Sequence, residues 1–165
     1  MFPPGVYKIT RPLKISTHGS KKVRLRGHGA TIKATNNFND VYTDDKGVTQ
    51  YNSFVDLNFK FNNDATANKY YDANGINEYN KTFRYILTLY GDKNNANENI
   101  YIEGFTFNGS GCASGVNIYY SQMFTLDNCS FINCYKGLEL RNDWFGNVHN
   151  TTKFYQCKYG IILGG

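Results

Sequence analysis

The feature that most restricts this chain is a repeat. Between Asn99 and Gly165 one short unit is written nearly three times, anchored on Phe107, Phe131 and Phe154. The runs that end on these residues are NIYIEGFTF, MFTLDNCSF and NVHNTTKF; INCYKGLEL and YQCKYGIIL follow the last two. After those two anchors a Cys stands at the third position (Cys134, Cys157) and a Gly at the sixth (Gly137, Gly160). In the first copy the glycine, Gly115, stands at the eighth, so that copy carries two extra loop residues. The anchors lie 24 and 23 residues apart. A period in the low twenties, built of short alternating apolar runs with no helical pattern, marks stacked β coils. One such coil cannot bury its own inner face, so stacking has to supply the core.

Each unit divides into three strand positions. GVNIY, GLELR and GIILG form the first, YIE, TLD and the region of Val148 the second, and FTF, CSF and TKF the third. Three short parallel strands per repeat predict an all-β fold, a right-handed three-sided parallel β-helix of about four coils. Between the second and third strands stand Glu103-Gly104 and Asp127-Asn128. Gly and Asn tolerate positive φ at low cost, so Gly104 and Asn128 are the expected corners. Val148 is one residue out of step with Leu126 when counted back from the anchors, which predicts a bulge in the third copy.

At 165 residues the chain reads as a single domain, 1–165. Hydrophobic residues make up 41%, enough for a core, and the 14 Tyr and 12 Phe supply much of it. The net charge is +5, but the densest basic group, Lys21, Lys22, Arg24 and Arg26, falls on alternating positions of one strand. That pattern reads as a solvated strand face, so no nucleic-acid partner is expected. No run is long enough to span a bilayer as a helix, and no secretory start is present, so no membrane insertion is expected. Cys112, Cys129, Cys134 and Cys157 lack zinc-ligand spacing. Cys134 and Cys157 should stack one coil apart, roughly 4.8 Å between Cα atoms. In-register parallel neighbours point the same way, which disfavours a disulfide. All four read as small buried apolar residues.

From the amino terminus, Gly5-Val-Tyr-Lys-Ile reads as the first-position strand of the first coil, with Tyr7 and Ile9 inward. Pro12-Leu-Lys-Ile-Ser reads as an extra strand, Val23-Arg-Leu-Arg as the second position with Gly27 at its corner, and Ala30-Thr-Ile-Lys-Ala as the third. In this stretch FPPGVYKITRPLKI…KKVRLRGHGATIKA resembles the first coil of the pectate-lyase-superfamily β-helix. The order of Pro4, Gly5, Tyr7, Ile9, Pro12, Leu13, Leu25, Gly27, Gly29 and Ile32 carries the resemblance, over about 35 residues. That family includes pectate lyases and related polysaccharide enzymes, and many phage tailspikes and capsule depolymerases. Its pattern has a capping helix upstream and more coils downstream. The chain departs from it at both ends, and is expected to be a piece of a larger protein.

Residues 35–84 interrupt the repeat and read as one long inserted loop. Within it Tyr51–Phe61 alternates like a strand, and Val41-Tyr-Thr is placed to pair with it across Asp44-Asp-Lys-Gly. The repeat resumes at Tyr85-Ile-Leu-Thr-Leu-Tyr. The outward residues of the first position then form two rows: Lys8, Thr88, Asn117, Glu139, Ile162 and Thr10, Tyr90, Tyr119, Arg141, Gly164.

The resemblance implies a groove on this first-position face. Tyr90, Tyr119, Asn117 and Trp144 are the candidate substrate-binding residues, since flat aromatic faces suit sugar rings. Glu139, Arg141 and Asp143 are the candidate catalytic residues. Glu139 and Asp143 could serve as the carboxylate pair of a glycoside hydrolase. A lyase would instead need a base, for which Arg141, Tyr119 or His149 could serve. The competing reading makes Glu139 and Arg141 a surface ion pair, and Tyr90, Tyr119 and Arg141 a ladder that only steadies the sheet. Glu103 and Asp127, one repeat apart, read as turn carboxylates. No Asp cluster for calcium and no metal pattern among His18, His28 and His149 appears, so no cofactor is expected.

The function expected is that of a phage tailspike or tail-associated protein, in the virion or extracellular, that binds and could cleave a bacterial surface polysaccharide, capsule or lipopolysaccharide. By the same resemblance it would be a homotrimer. The alternatives are a secreted polysaccharide lyase or hydrolase of the superfamily, and a structural virion β-helix with no glycan activity.

Overall fold

The computed structural model describes residues 1–16, 22–35, 38, 41–43, 49–51, 85–90, 96, 98–141 and 143–164. Among these there is no helix. The strands are β1 (Gly5–Ile9), β2 (Leu13–Ser16), β3 (Val23–Ala34), β4 (Val41–Thr43), β5 (Thr49–Tyr51), β6 (Tyr85–Tyr90), β7 (Ile100–Asn108), β8 (Ser114–Tyr119), β9 (Met123–Asp127), β10 (Ser130–Ile132), β11 (Lys136–Arg141), β12 (Phe145–His149), β13 (Lys153–Tyr155) and β14 (Tyr159–Gly164). Short runs rich in Val, Ile, Phe, Tyr and Thr, cut by Gly and Asn, favour this outcome over helices.

Two parallel sheets result. One is five-stranded, in the order β14-β11-β8-β6-β2. The other is seven-stranded, with the path β1-β3-β7-β10-β13 and a branch in which β9 pairs β7 and β12 pairs β9. Every strand in both sheets therefore lies beside its counterpart in the next repeat. Phe107 registers with Phe131 and Phe131 with Phe154; Ile118 registers with Leu140 and Leu140 with Leu163. The fold is all-β with parallel sheets, an arrangement compatible with a β-solenoid. The pair β4–β5 stands apart as a two-stranded antiparallel hairpin, with Val41 opposite Tyr51. The expected strand continuing to Phe61 lies outside the described residues.

The corners follow the sequence closely. Gly104 has φ 68° and Asn128 φ 50°, and Asn150, at φ 52°, turns the third copy. The expected bulge in the third copy does not occur, because Val148 registers with Leu126 inside an unbroken β12–β9 ladder. The extra residue is taken up in the corner instead. There Thr151 Oγ1 donates to Asn128 Oδ1 at 2.6 Å, and Cys129 N donates to Thr152 Oγ1 at 3.3 Å.

Two further expectations are corrected in the first repeat. Gly27 does not form its corner. His28 (φ 36°) and Gly29 (φ 82°) do, and the β3–β7 register shifts between Arg26 and Ala30 to admit the extra residues. Nor does Gly5–Ile9 open the first-position sheet. β1 pairs the C-terminal half of β3, with Tyr7 against Ile32, and it is β2 that underlies β6, with Leu13 against Leu87. Both segments alternate equally well, so alternation could not rank them.

The core is one continuous cluster between the sheets, with Ile100, Ile102, Val116, Ile118, Leu126 and Leu138 buried in it. Phe107, Phe131 and Phe154 stack along it, with centroids 5.4 and 4.9 Å apart and planes 22° and 6° from parallel. Phe131 and Phe154 each rest on a glycine of the preceding repeat. A Cβ on Gly137 would come within 2.5 Å of Phe154 Cδ1 and 2.7 Å of Gly160 O; one on Gly115 would meet Phe131 Cδ1 at 2.6 Å. Gly27 serves the same end, since a Cβ there would lie 2.6 Å from the Phe105 ring. The four cysteines are free thiols, three of them buried. Cys134 Sγ donates to Ile132 O at 3.4 Å and Cys157 Sγ to Phe131 O at 3.4 Å; the neighbouring Cys157 thiol and burial together push Cys134 well up.

Replacing Gly137 by Ala should therefore destabilise the chain by about 1–3 kcal/mol, the usual cost of overpacking. Gly160→Ala, whose Cβ has no neighbour closer than 3.6 Å, should stay within about 0.5 kcal/mol of the parent. Equilibrium urea unfolding of the two variants checks the difference; equal midpoints would contradict the seating of rings on glycines.

Candidate functional site

Alternation along the five-stranded sheet sends Val116, Ile118, Leu138 and Leu140 to the core. Asn117, Tyr119, Glu139 and Arg141 therefore face away from it. The registers build two rows across the strands: Lys14, Thr88, Asn117, Glu139, Ile162 and Ser16, Tyr90, Tyr119, Arg141, Gly164. Lys14 and Ser16 replace the expected Lys8 and Thr10, a consequence of β2 rather than β1 forming the edge. The rows otherwise stand as read from the sequence, and Tyr90 holds the register position beside Tyr119.

Although it points away from the core, the middle of the first row is not solvated. Thr88 and Glu139 are 1% exposed and Asn117 is 8% exposed. Both oxygens of Glu139 are engaged. Lys136 Nζ donates to Oε2 at 3.0 Å, and Arg141 approaches Oε1 through Nε at 2.7 Å and through Nη2 at 2.6 Å. The ion pair with Arg141 is thus made, but as a buried triad rather than an exposed pair. Lys136, at the start of the same strand, was not singled out by sequence reasoning, since nothing in its spacing from Glu139 signals contact. Gly164 leaves room for the guanidinium, as a Cβ there would lie 3.3 Å from Arg141 Nη1. The triad carries a net single positive charge. With two oxygens held by two cations, Glu139 fixes the position of Arg141 and Lys136.

Beside this triad, Thr88 Oγ1 and Asn117 Oδ1 are buried without a hydrogen-bond partner. They belong to adjacent, registered strands. A buried polar atom left unpaired costs about 1–3 kcal/mol.

At the rim, Tyr119 is half-buried and meets Tyr120 edge-on, with centroids 4.7 Å apart. The backbone ties the neighbouring turns together: Tyr120 N donates to Arg141 O at 3.0 Å and Trp144 N to Ser121 O at 3.0 Å. This leaves Trp144 64% exposed. Between the turns Asp143 Oδ1 accepts from Ser121 N at 2.6 Å, while Oδ2 is buried without a partner. Burial pushes the Asp143 carboxyl up to about 7, against the opposing pull of backbone hydrogen bonds from Ser121 and Arg141. Asp143 is therefore the carboxyl of this face that exchanges a proton near neutrality.

A second polar group sits on the outer side of the other sheet. Tyr101 Oη donates to Asp127 Oδ2 at 2.8 Å, and Asn150 Nδ2 donates to Oδ1. These bonds hold Asp127 below the usual carboxylate range and push Tyr101 up to about 12. Arg26 Nε lies 2.7 Å from Glu103 Oε1, although its N–H is not aimed at that oxygen, so the contact is an ion pair rather than a hydrogen bond. Glu103 and Asp127 tie successive repeats together at the corner. Among the described residues no three His, Cys, Asp or Glu converge as metal ligands. No protein-family model, curated protein or solved structure matches this chain.

Glu139→Gln should lower stability by about 3 kcal/mol, since it leaves two buried cations sharing one neutral carbonyl; chemical unfolding checks it, and an unchanged midpoint would mean the triad is not closed. Asp143 predicts a pH dependence. Its folded pKa of about 7 lies above the unfolded value near 3.9. The folded state therefore binds the extra proton between those values, and its contribution to stability is present at low pH and lost as pH rises to about 7. Asp143→Asn, which cannot ionise, should gain stability relative to the parent as pH goes from 4 to 8. Parallel melts across that range would show no divergence if the carboxyl titrated normally.

Proposed function

We propose that this chain is part of a right-handed parallel β-helix of the pectate-lyase-like kind, from a phage tailspike or tail-associated protein. In this reading it binds a bacterial surface polysaccharide across the outer face of its five-stranded sheet. The observation that carries it is the half-buried Tyr119, in register with Arg141, near the exposed Trp144 of the adjoining turn. Sugars present flat apolar ring faces that suit such aromatics. The stacked parallel strands and the resemblance of residues 2–34 to a first coil support the same assignment. A homotrimer and a place in the virion belong to this proposal.

The test is binding of the chain, and of its Tyr119→Ala and Trp144→Ala variants, to a panel of capsular polysaccharides and lipopolysaccharides. The parent should retain one of them, and each variant should weaken that binding by about 1 kcal/mol, roughly fivefold. Release of oligosaccharides that Asp143→Asn abolishes would add cleavage to binding. Retention of no glycan, or variants that bind as the parent does, would leave the face a side-chain ladder.

A further inference from the structure

Two turns lie side by side where the chain passes from the five-stranded sheet to the other. One, Tyr120 to Gln122, follows β8; the other, with Asp143 and Trp144, follows β11 one repeat further on. Three hydrogen bonds join them. Ser121 N donates to Asp143 Oδ1 at 2.6 Å, Trp144 N to Ser121 O at 3.0 Å and Phe145 N to Gln122 O at 3.1 Å. The first of these has a side chain as acceptor, and that side chain is ionisable. Ser121 is buried, so its N–H depends on the carboxyl. Tyr120, the residue before it, stands at φ 53°, a left-handed conformation that costs energy for any residue with a Cβ. The bond to Asp143 therefore holds a strained turn against its neighbour.

Asp143 Oδ2 is buried and has no hydrogen-bond partner. Ionisation improves Oδ1 as an acceptor but spreads charge onto an oxygen with neither donor nor water. Burial outweighs the amides of Ser121 and Arg141, which raises the carboxyl to about 7. The charged side chains of the adjoining strand do not offset this, since Glu139 takes both Lys136 and Arg141. The phenols of the first turn, Tyr119 and Tyr120, meet each other edge-on. We propose that Asp143 is a proton-operated latch between the two turns, closed while its carboxyl is neutral and opened when the ionised group moves out to water, which frees Ser121 N and Trp144. The closed latch binds its proton more tightly than the open one, whose carboxyl has the ordinary value of about 3.9. Opening is therefore rare in acid and grows by about tenfold per pH unit until pH reaches about 7, where it levels off. The latch concerns the two turns alone and does not depend on the glycan reading.

The test is amide hydrogen exchange of the chain, followed by NMR from pH 4 to 8 and expressed as protection relative to the unfolded rate. Protection of the Ser121 and Trp144 amides should fall by about a thousandfold between pH 4 and 7 and then stay level. Both amides should be less protected than those of Ile118 and Leu140 throughout, because the turns open while the strands stay paired. Trp144 is the only tryptophan of the chain, so quenching of its fluorescence by acrylamide should increase over the same range. Asp143→Asn keeps an acceptor for Ser121 N but cannot ionise, and its protection and quenching should not change with pH. Should that variant not fold, the two readings on the parent decide alone. Protection independent of pH in the parent, turns as protected as the strands, or the parent's slope in a folded Asp143→Asn chain would each overturn the proposal.

Discussion

The structure depends on the seating of a phenylalanine ring on a glycine in the preceding repeat. Phe154 lies over Gly137 and Phe131 over Gly115, at distances that no Cβ would permit. The glycine lets two backbones and a ring occupy the same layer, and the ring supplies about 1.5–3 kcal/mol of burial for each repeat added. Because the seat belongs to one repeat and the ring to the next, neither is satisfied alone. The contact is therefore between repeats, which favours stacking over closure of any single turn of chain. It also sets the axial register: rings only 6° from parallel at 4.9 Å leave no freedom to slip by a residue.

With the layers fixed in this way, the corners select for residue type rather than volume. Gly104, Asn128 and Asn150 hold positive φ at equivalent places, as do Asn133 and Gln156 at the next turn. Side chains at these turns bond to one another across repeats, Thr151 to Asn128 and Asn150 to Asp127. The corner thus repeats a conformation and binds the layers at their edge. The thiols add a further tie, in which Cys134 Sγ donates to Phe107 O and Cys157 Sγ to Phe131 O, each in the preceding repeat.

The outer face of the five-stranded sheet inherits its order from the same register. Residues fixed inward by the core fix their neighbours outward, so Asn117 beside Glu139 and Tyr119 beside Arg141 follow from the packing of Val116 and Ile118. What that face does chemically is set by how its charges pair. Glu139 is neutralised on both oxygens, whereas Asp143 keeps one oxygen unpaired and a pKa near neutrality. Two carboxylates that look alike in the sequence are thereby divided into a structural anchor and a titrating group.

The sequence by itself determined the all-β class, the strand positions of the last three repeats, the corners at Gly104 and Asn128, and the two outward rows above the first repeat. These are local or periodic properties: the pleat alternates every residue, positive φ is tolerated by few side chains, and a repeat copies its register. Only the tertiary structure decided that β2 rather than β1 underlies β6, and that Gly27 makes room for Phe105 instead of turning a corner. It also placed the extra residue of the third copy in its corner and brought Lys136 onto Glu139. Each of these depends on which segment lies beside which, and segments that alternate equally well are distinguished only by the volume and charge of the neighbours they meet.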